Sequence, residues 1–419
     1  MPSISVIGLG ICQPPLLTTE AQAVLSQAQV VFGSPRQLAS IAQLLPATCE
    51  QRQLPKLSQL KDQLASLPEV AILASGDPLL FGIGKYLHQQ FPQQVTCYSG
   101  VSSLQGACAL TGLSLQDAQL VSLHGRPLSS LRRHLQANRT LLILTDQHSQ
   151  PQHLAQQLAE VNLSASRLHI CERLGYPEQR YSEYGVAELL DSQETFDPFD
   201  PLHVTVIETR GMGGVIPNFP GIPDNQFITN SETLTGDGKG LLTKREVRLA
   251  ILSLLQAGPN QVGWDIGAGC GGVAVEWALW NPQGKVYAIE HHPQRMICLQ
   301  ANRDKFGVVQ NLYPLQQSAP DGLADLPRPD KVFVGGSSGA LNDIMHSAWQ
   351  ALNPGGRLVA SAVTEQSKAD LLALSTHLQC QIAEMLQVSI SRADKLAGQD
   401  LLRPNLPITL ICWDKPHVE

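Results

Sequence analysis

The 419-residue sequence is poor in the features that mark several classes of protein. It has no apolar run near the roughly 18 residues that a membrane helix needs, and no basic stretch opens the chain as in a signal peptide. Its nine cysteines are odd in number, scattered and without a Cys-x-x-Cys pair. This pattern argues against disulfides and a zinc site. The missing apolar run predicts no membrane segment, and the cysteine pattern predicts a cytoplasmic protein without a metal site.

Positive charge is also scarce. The formal net charge is −7, divided about evenly between the two halves, and neither half is basic. A chain without a basic half lacks the attraction for phosphate backbones on which nucleic-acid binding depends. We therefore predict that nucleic acid is not a partner.

What is present fits a folded chain of two domains. Hydrophobic residues make up 43% of the sequence, and its length exceeds that of one ordinary domain. Glycine and proline are densest in residues 210–223, where they disfavour helices and central strands. We predict domains at 1–208 and 221–419, joined by a linker at 209–220.

The second half alternates strand-like and helical patterns regularly, as parallel α/β domains do. Its last two predicted strands follow one another without a helix between them. Five crossovers and this terminal hairpin predict a seven-stranded sheet whose last strand is antiparallel, an ending that dinucleotide-binding domains usually lack. The predicted strands are 261–266, 285–290, 311–315, 331–334, 357–363, 381–389 and 407–413, and the predicted helices lie near 247–255, 272–279, 293–303, 338–352 and 365–378.

The first half is also α/β but less regular. No short-period repeat is visible, so similar chemistry in the two halves would have to come from two different folds. The predicted strands of the first half are 4–9, 70–74, 95–99, 141–145, 168–171 and 202–208.

A glycine-rich loop follows the first strand of the second half and opens a helix. Gly267, Gly269 and Gly272 match the G-x-G-x-x-G pattern of dinucleotide-binding loops. Asp265, just before the loop, would repel a pyrophosphate but attract the ammonium and sulfonium groups of S-adenosylmethionine. Glu290 ends the next strand, where a carboxylate accepts hydrogen bonds from ribose hydroxyls. This combination favours a class I methyltransferase over dinucleotide binding and over glycines that serve packing alone.

Three neighbouring features have plainer interpretations. Thr243 and Glu246 have capping-box spacing, so Thr243 either caps a helix or lies at the cofactor. Cys270 has no obvious base partner, and we interpret it as a small packing residue rather than a nucleophile. The adjacent His291 and His292 favour a solvated pair over a metal site.

Two turns in the first half are alike. One strand runs into Ser75-Gly76-Asp77-Pro78, where Asp77 fits a helix cap and Pro78 fits the first helical position. Another strand runs into a turn that carries Ser102 and Ser103. Hydroxyls and free amides at neighbouring strand ends form either a pocket for a small polar ligand or two helix caps.

The first half carries five motifs: Val6-Ile7-Gly8-Leu9-Gly10, Ser34-Pro35-Arg36, Ser75-Gly76-Asp77-Pro78, Leu123-His124-Gly125-Arg126 and Cys171-Glu172-Arg173-Leu174-Gly175. Together they resemble the tetrapyrrole (corrin/porphyrin) methylase family. Two turns depart from that family's usual pattern, with Ile11-Cys12 in place of Pro-Gly and Gln147-His148-Ser149 in place of a glycine turn. The resemblance implies a class III α/β fold of two subdomains. It also implies cofactor contacts from Gly76, Asp77, Ser102 and Ser103.

The second half carries six more motifs: Gly221-Ile222-Pro223-Asp224, Leu242-Thr243-Lys244-Arg245-Glu246, residues 265–271, Ser318-Ala319-Pro320, Phe333-Val334-Gly335-Gly336 and Asn353-Pro354-Gly355-Gly356. They resemble the decarboxylating C15 methyltransferases of cobalamin biosynthesis, which implies a class I Rossmann-like fold. The resemblance extends to a cofactor site at Thr243, Asp265, Gly267, Gly269, Gly271, Glu290, Ser318 and Ala319. Asp265 would face the positive end of the cofactor, the glycines its methionine end, Glu290 its ribose, and Ser318 and Ala319 its adenine.

In this order, and over nearly the whole chain, the two resemblances imply an enzyme that uses S-adenosylmethionine in two sites. Two methyl groups would reach meso carbons 5 and 15 of a reduced tetrapyrrole, and the acetate on ring C would leave as carbon dioxide. A carboxylated substrate invites arginine contacts, for which Arg126, Arg245 and Arg392 are candidates. Because related second domains assemble, the resemblance also implies a homo-oligomer through the second domain.

Two alternatives stay open at this point. A sirohaem-type fusion would join a tetrapyrrole methylase to an NAD-dependent dehydrogenase, and it predicts a second-domain loop without Asp265 and no terminal hairpin. A tetrapyrrole-binding scaffold with inactive cofactor sites predicts no binding of S-adenosylmethionine, which calorimetry would test.

Overall fold

A computed structural model describes residues 3–191, 197–211, 213–214, 216–217, 219–229, 241–377, 380–396 and 398–417. Its contacts divide the chain into two compact units. Unit 1 comprises Met1–Leu128 and Ala137–Gly213, and unit 2 comprises Ser129–Gln136 and Gly214–Glu419. None of the described helices is both long and apolar enough to cross a membrane.

The first of two sheets in unit 1 is wholly parallel, with the strand order β3-β2-β4-β1-β5. Apolar clusters pack on this sheet, one around Phe32 and Ile72 and another around Val31 and Leu73. The strands are β1 (Ser3–Gly8), β2 (Val30–Gly33), β3 (Glu50–Gln53), β4 (Glu69–Ala74) and β5 (Val95–Tyr98), and the helices are α1 (Thr19–Gln27), α2 (Pro35–Ile41), α3 (Leu57–Ala65), α4 (Gly84–Gln90) and α5 (Ser103–Thr111).

The second sheet of unit 1 is mixed, with the order β6-β7-β10-β8-β9. Strands β6 and β7 are parallel to each other, while β10 runs antiparallel to both of its neighbours. The strands are β6 (Ala118–Ser122), β7 (Thr140–Leu144), β8 (Arg167–Glu172), β9 (Arg180–Gly185) and β10 (His203–Glu208), and the helices are α6 (Pro151–Glu160) and α7 (Val186–Leu190).

The six strands predicted for unit 1 are confirmed as β1, β4, β5, β7, β8 and β10, and four others were missed. Strands β3 and β9 are polar and largely exposed, so no apolar period marks them. The predicted helix start at Asp77 and Pro78 is wrong, because α4 begins at Gly84. Phe81 has φ +54°, a left-handed conformation that interrupts a helix, and the Asp77 carboxylate instead accepts the amide of Leu79 in a local turn.

The predicted seven-stranded sheet of unit 2 is confirmed, with the order β13-β12-β11-β14-β15-β19-β16. Strand β19 is antiparallel to both of its neighbours, and the other pairings are parallel. The strands are β11 (Val262–Ile266), β12 (Lys285–Glu290), β13 (Leu312–Gln316), β14 (Lys331–Val334), β15 (Arg357–Ala362), β16 (Ile382–Val388), β17 (Ser391–Leu396), β18 (Gln399–Pro404) and β19 (Ile408–Asp414), and the helices are α8 (Arg245–Leu255), α9 (Gly272–Trp280), α10 (Pro293–Lys305), α11 (Leu341–Ala351) and α12 (Glu365–His377).

Two details of unit 2 differ from the predictions. Strands β17 and β18 form a separate two-stranded sheet between β16 and β19, where one hairpin loop was expected. Thr243 is not a helix cap, because α8 begins at Arg245 with Lys244 as its N-cap residue. The Asp224 carboxylate accepts the Arg245 amide at 3.0 Å and so takes the capping role from a segment distant in sequence.

Candidate active site

In unit 2 the site is built around the loop between β11 and α9. Gly267, Gly269 and Gly271 all have positive φ angles, from +59° to +86°. A Cβ on Gly267 would lie 2.6 Å from the backbone nitrogen of Gly336, so this close approach excludes a side chain. The three glycines therefore bring the bare backbone to the carboxyl end of the sheet, the edge where open α/β sheets bind their ligands.

Glu290 ties the end of β12 to this loop. One carboxylate oxygen accepts the Gly269 amide at 2.8 Å, and the other accepts the His292 amide at 2.8 Å. The side chain is 2% exposed, and the Arg295 guanidinium lies 3.9 Å away. Each oxygen still has a lone pair, so a fixed carboxylate is available to a pair of hydroxyl donors.

Asp265 is the most unusual group of this site. It is 1% exposed, and neither carboxylate oxygen has a hydrogen-bond partner among the described residues. Burial, with a smaller contribution from the nearby charge of Glu290, raises its pKa to about 7, although the backbone amide of Ala274 opposes this rise. An isolated buried carboxylate is unfavourable unless a cation or donor joins it, so this group fits the cationic end of a bound cofactor.

The remaining residues predicted for the second site lie on neighbouring segments. Gln316 pairs with Glu290 in register, and Ser318 and Ala319 follow two and three residues later. Thr243 lies just beyond Leu241, whose carbonyl accepts the Cys270 amide of the glycine loop. The backbone carbonyl of Thr243 accepts a hydrogen bond from the Arg248 guanidinium. Thr243 therefore lies near the glycine loop, and Ser318 and Ala319 follow β13, the strand that pairs with β12.

Burial also settles the chemistry of Cys270, which lies inside the loop. The residue is fully buried, and burial raises the pKa of its thiol to about 12. A neutral thiol is a poor nucleophile, which agrees with its interpretation as a packing residue.

In unit 1 the corresponding edge lies where β1, β4 and β5 end. Gly10 and Gly76 exchange backbone hydrogen bonds, and both have positive φ angles. A Cβ on Gly100 would lie 2.5 Å from the Gly76 carbonyl oxygen, and one on Gly8 would lie 2.6 Å from the same atom. Four glycines therefore let three strand ends converge.

A cavity of about 930 Å³ opens beside these turns, within unit 1. Gly76, Ser102 and Ser103 line it, as the sequence predicts for a ligand pocket. Ser102 also caps α5, because its hydroxyl oxygen accepts the Leu104 amide. This residue is therefore both a helix cap and a part of the cavity lining. Asp77 is not among the lining residues.

The charge of this cavity is one-sided. Its described lining includes no Asp or Glu, but it includes four Lys or Arg side chains, which are Arg36, Lys85, Arg126 and Arg173. Such a lining attracts a ligand that carries several carboxylates. Of the three arginines named from the sequence, only Arg126 lies here. Arg245 contacts Glu246, and Arg392 is paired with Glu246 and Asp224.

Sequence reasoning missed Lys85 altogether and gave no role to Arg36 or Arg173. The last two lie inside quoted motifs, and this was the only signal for them. Arg36 is held by hydrogen bonds to the Tyr176 hydroxyl at 2.8 Å and to the Ser75 hydroxyl at 3.1 Å. Only the folded chain brings these distant segments together.

The two halves match two different family models. Residues 3–190 match the model described as Tetrapyrrole (Corrin/Porphyrin) Methylases. Residues 233–415 match the model described as Precorrin methyltransferase domain. The second match occupies the place where a sirohaem-type fusion requires a dehydrogenase, so that alternative is not supported.

Some curated relatives align with nearly the whole chain, and others align with about half of it. A precorrin-6Y C(5,15)-methyltransferase [decarboxylating] from Sinorhizobium sp is 34% identical over 99% of this chain and 97% of its own length. A protein of the same name from Mycobacterium tuberculosis is 31% identical over 97% of this chain and 98% of its own length. A probable cobalt-precorrin-6B C(15)-methyltransferase (decarboxylating) from Saccharolobus solfataricus is 30% identical over 47% of this chain and 96% of its own length.

The sheet orders, the two glycine-built strand edges and the end-to-end similarity agree with one another. The chain belongs to the family of decarboxylating precorrin-6Y C(5,15)-methyltransferases.

Proposed function

We propose that unit 1 methylates carbon 5 of a precorrin-6Y-type tetrapyrrole, and that unit 2 methylates carbon 15 and releases the ring C acetate as carbon dioxide. Each unit would bind its own S-adenosylmethionine. The observation that carries this proposal is that two sheets of unrelated topology each end in a separate glycine-built site. The names of the full-length relatives agree with it.

S-adenosylmethionine supplies a methyl group on a sulfonium, which is already a reactive leaving group. The protein therefore needs chiefly to align this group with a meso carbon and to exclude water, effects that contribute about 7–11 kcal/mol in well-oriented reactions. In unit 2 we assign the ribose to Glu290 and the methionine end to Gly267, Gly269 and Gly271. Asp265 lies beside the positive end, and the segment with Ser318 and Ala319 receives the adenine. Thr243 borders the same site.

In unit 1 we assign cofactor contact to Gly76, Ser102 and Ser103, which line the cavity. Asp77 stays in the proposed set by its position in the motif, with its carboxylate shaping the turn through the Leu79 amide. The four cations of the same cavity would hold the carboxylates of the tetrapyrrole. The partner of this site is thus a small molecule.

The test is product analysis by mass spectrometry with the intact chain. The wild type should add two methyl groups and lose one carbon dioxide, and calorimetry should count two molecules of S-adenosylmethionine per chain. Gly76→Ala, which forces a Cβ into a left-handed turn, should remove only the carbon 5 methyl. A chain that binds no S-adenosylmethionine would support the scaffold alternative instead.

The domain limits are part of the same proposal. Pieces 1–208 and 221–419 should each be soluble and give a structured near-ultraviolet circular dichroism spectrum. A molten spectrum from either piece would count against the linker at 209–220. The second piece lacks Ser129–Gln136, so a version with this segment supplied as a peptide is the matched control.

We also propose that the protein is cytoplasmic and forms a homo-oligomer through unit 2. All nine cysteines are free, as a reducing compartment requires. Near the β17–β18 sheet of unit 2, Leu402 and Leu406 are 70% and 75% exposed, which is unusual for large apolar side chains. Light scattering on the intact chain and on a Leu402→Ser variant would test the assembly, with a monomeric wild type as the contradicting result.

A further inference from the structure

Thr145 and His203 lie side by side in the second sheet of unit 1. Thr145 follows the last residue of β7, and His203 is the first residue of β10, whose next residue Val204 pairs with Leu144. The Thr145 hydroxyl oxygen lies 2.8 Å from Nε2 of His203. Both residues line the 930 Å³ cavity, although they are only 8% and 7% exposed.

The other ring nitrogen defines the tautomer of His203. Nδ1 lies 2.7 Å from the backbone carbonyl of Asp200, and a carbonyl oxygen only accepts. Nδ1 therefore carries the hydrogen, and Nε2 offers its lone pair to the Thr145 hydroxyl. The hydroxyl oxygen keeps its own lone pairs for the cavity.

The surroundings of the imidazole keep it neutral and still able to accept a proton. Burial lowers the pKa of His203 below its ordinary value, while the nearby carboxylates of Glu172 and Asp200 oppose that effect. These carboxylates are themselves paired with Arg180 and Arg173 respectively. Cys171, on the facing strand β8, stays a neutral thiol because burial raises its pKa to about 12.

Methylation of a meso carbon requires such an acceptor. Forming the new carbon–carbon bond breaks the bond from sulfur to the methyl group and leaves a positive charge on the ring system. The meso carbon then holds both a methyl group and its original hydrogen. Breaking that carbon–hydrogen bond returns the electron pair to the ring and restores conjugation, so one proton must leave.

We propose that Thr145 and His203 together accept this proton in unit 1, an inference that rests on the proposed methylation of carbon 5 in this unit. The Thr145 oxygen takes the proton from the meso carbon while its own hydroxyl proton passes to Nε2 of His203. The resulting imidazolium is stabilised by the Asp200 carbonyl and by the charge of Glu172. The proton then passes to solvent. Thr145 is the catalytic residue of this step, and His203 acts through it.

His124 is the competing acceptor in the cavity lining. Its side chain is exposed, and no hydrogen bond fixes its ring among those that the structure describes. An exposed imidazole without such a hydrogen bond is less well aligned than the buried pair. A His124→Gln variant therefore belongs in the test.

The experiment uses the intact chain and a tetrapyrrole substrate labelled with deuterium at carbon 5. Thr145→Val and His203→Gln should slow formation of the carbon 5 product by about 10²- to 10⁴-fold and reveal a primary isotope effect that the wild type lacks. Thr145→Ser should keep the rate and the isotope effect of the wild type because it retains the hydroxyl. The acidic limb of the wild-type pH profile should fall below the ordinary histidine range and disappear in His203→Gln.

Two controls match the chemistry without lining the cavity. His169, on β8, is also a buried histidine bonded to a hydroxyl, that of Tyr181 at 2.9 Å. Thr205, on β10, is fully buried, and its hydroxyl has no partner among the described residues. His169→Gln and Thr205→Val should leave the rate and the isotope effect unchanged. Nitrogen-15 NMR of the chain without substrate should show His203 as the Nδ1–H tautomer.

Three results would overturn the role of the pair. These are an unchanged isotope effect in both cavity variants, an isotope effect in His124→Gln instead, or an imidazolium at neutral pH by NMR. Failure of the proposed function looks different. If Glu290→Ala in unit 2 abolishes the carbon 5 methyl, carbon 5 is not methylated in unit 1, and the proton-acceptor role is overturned with it.

Discussion

The two candidate sites of this chain carry opposite charge. The cavity of unit 1 has four cationic side chains and no carboxylate in its described lining. The site of unit 2 has two buried carboxylates, Asp265 and Glu290, beside a glycine loop. Both sites lie at the carboxyl ends of parallel strands, so the sheet edge sets only where a ligand binds. Under the proposed function, the side chains suit the cavity of unit 1 to the anionic tetrapyrrole and the site of unit 2 to the cationic end of its cofactor.

The largest effect should follow from removing the fixed carboxylate of unit 2. Glu290→Ala removes the proposed acceptor for ribose hydroxyls and frees the amides of Gly269 and His292. At about 1.5–3 kcal/mol per charged hydrogen bond, affinity for S-adenosylmethionine at this site should fall at least tenfold. Product analysis should show the carbon 5 methyl retained and both the carbon 15 methyl and carbon dioxide release lost. Loss of the carbon 5 methyl instead would reverse the assignment of the two units.

Asp265 should make the stability of unit 2 depend on pH up to about 7. Its pKa of about 7 lies above the ordinary value of 3.8, so the folded chain without ligand binds the extra proton and loses stability as pH rises between those values. Asp265→Asn should therefore stabilise this form by about 2–4 kcal/mol at pH 8, measured by urea denaturation. Cofactor affinity at the same site should change in the opposite sense and weaken below pH 7 in the wild type. Equal pH dependence in Asp265→Asn would contradict this prediction.

Removing cations should affect only the tetrapyrrole step of unit 1. Lys85→Ala and Arg126→Ala each remove about 1 kcal/mol of attraction between exposed groups, so KM for the tetrapyrrole should rise about fivefold while kcat is kept. Added salt should raise KM in the wild type more than in the variants, because exposed charges are screened. Lys56→Ala, an exposed lysine that is not among the lining residues, is the control. A lowered kcat with unchanged KM would show that these cations do not bind substrate.

The smallest effect is expected for Arg392. Its side chain is 42% exposed and is already paired with Glu246 at 2.6 Å and Asp224 at 3.3 Å. Arg392→Ala should lower the free energy of unfolding by no more than about 1 kcal/mol and leave KM for the tetrapyrrole unchanged. A large rise in KM would return Arg392 to the set of substrate-binding residues and weaken the contrast between the units.

The glycine loop shows how far sequence reasoning reaches. The order Asp265, three glycines and Glu290, each at a strand end, was enough to predict an acidic cofactor site, because strand ends of a parallel sheet meet at one edge. The burial of Asp265, without a hydrogen-bond partner for its carboxylate oxygens among the described residues, could not be predicted, since it depends on every segment packed around the strand. The predictions of helix caps at Asp77 and Thr243 were wrong for a similar reason. Near Asp77, the left-handed conformation of Phe81 delays the helix start. Near Thr243, the distant Asp224 carboxylate accepts the first helical amide in place of a local cap.

The sequence by itself determined the periodic strands and helices, the antiparallel end of the unit 2 sheet and the position of the glycine turns. These follow from local apolar spacing and from the conformations that only glycine adopts readily. Tertiary structure alone decided the cavity of unit 1, its one-sided charge and the meeting of Thr145 with His203. Those residues come from separate strands and loops, and only the pairing of β7 with β10 brings a hydroxyl within 2.8 Å of an imidazole 58 residues away.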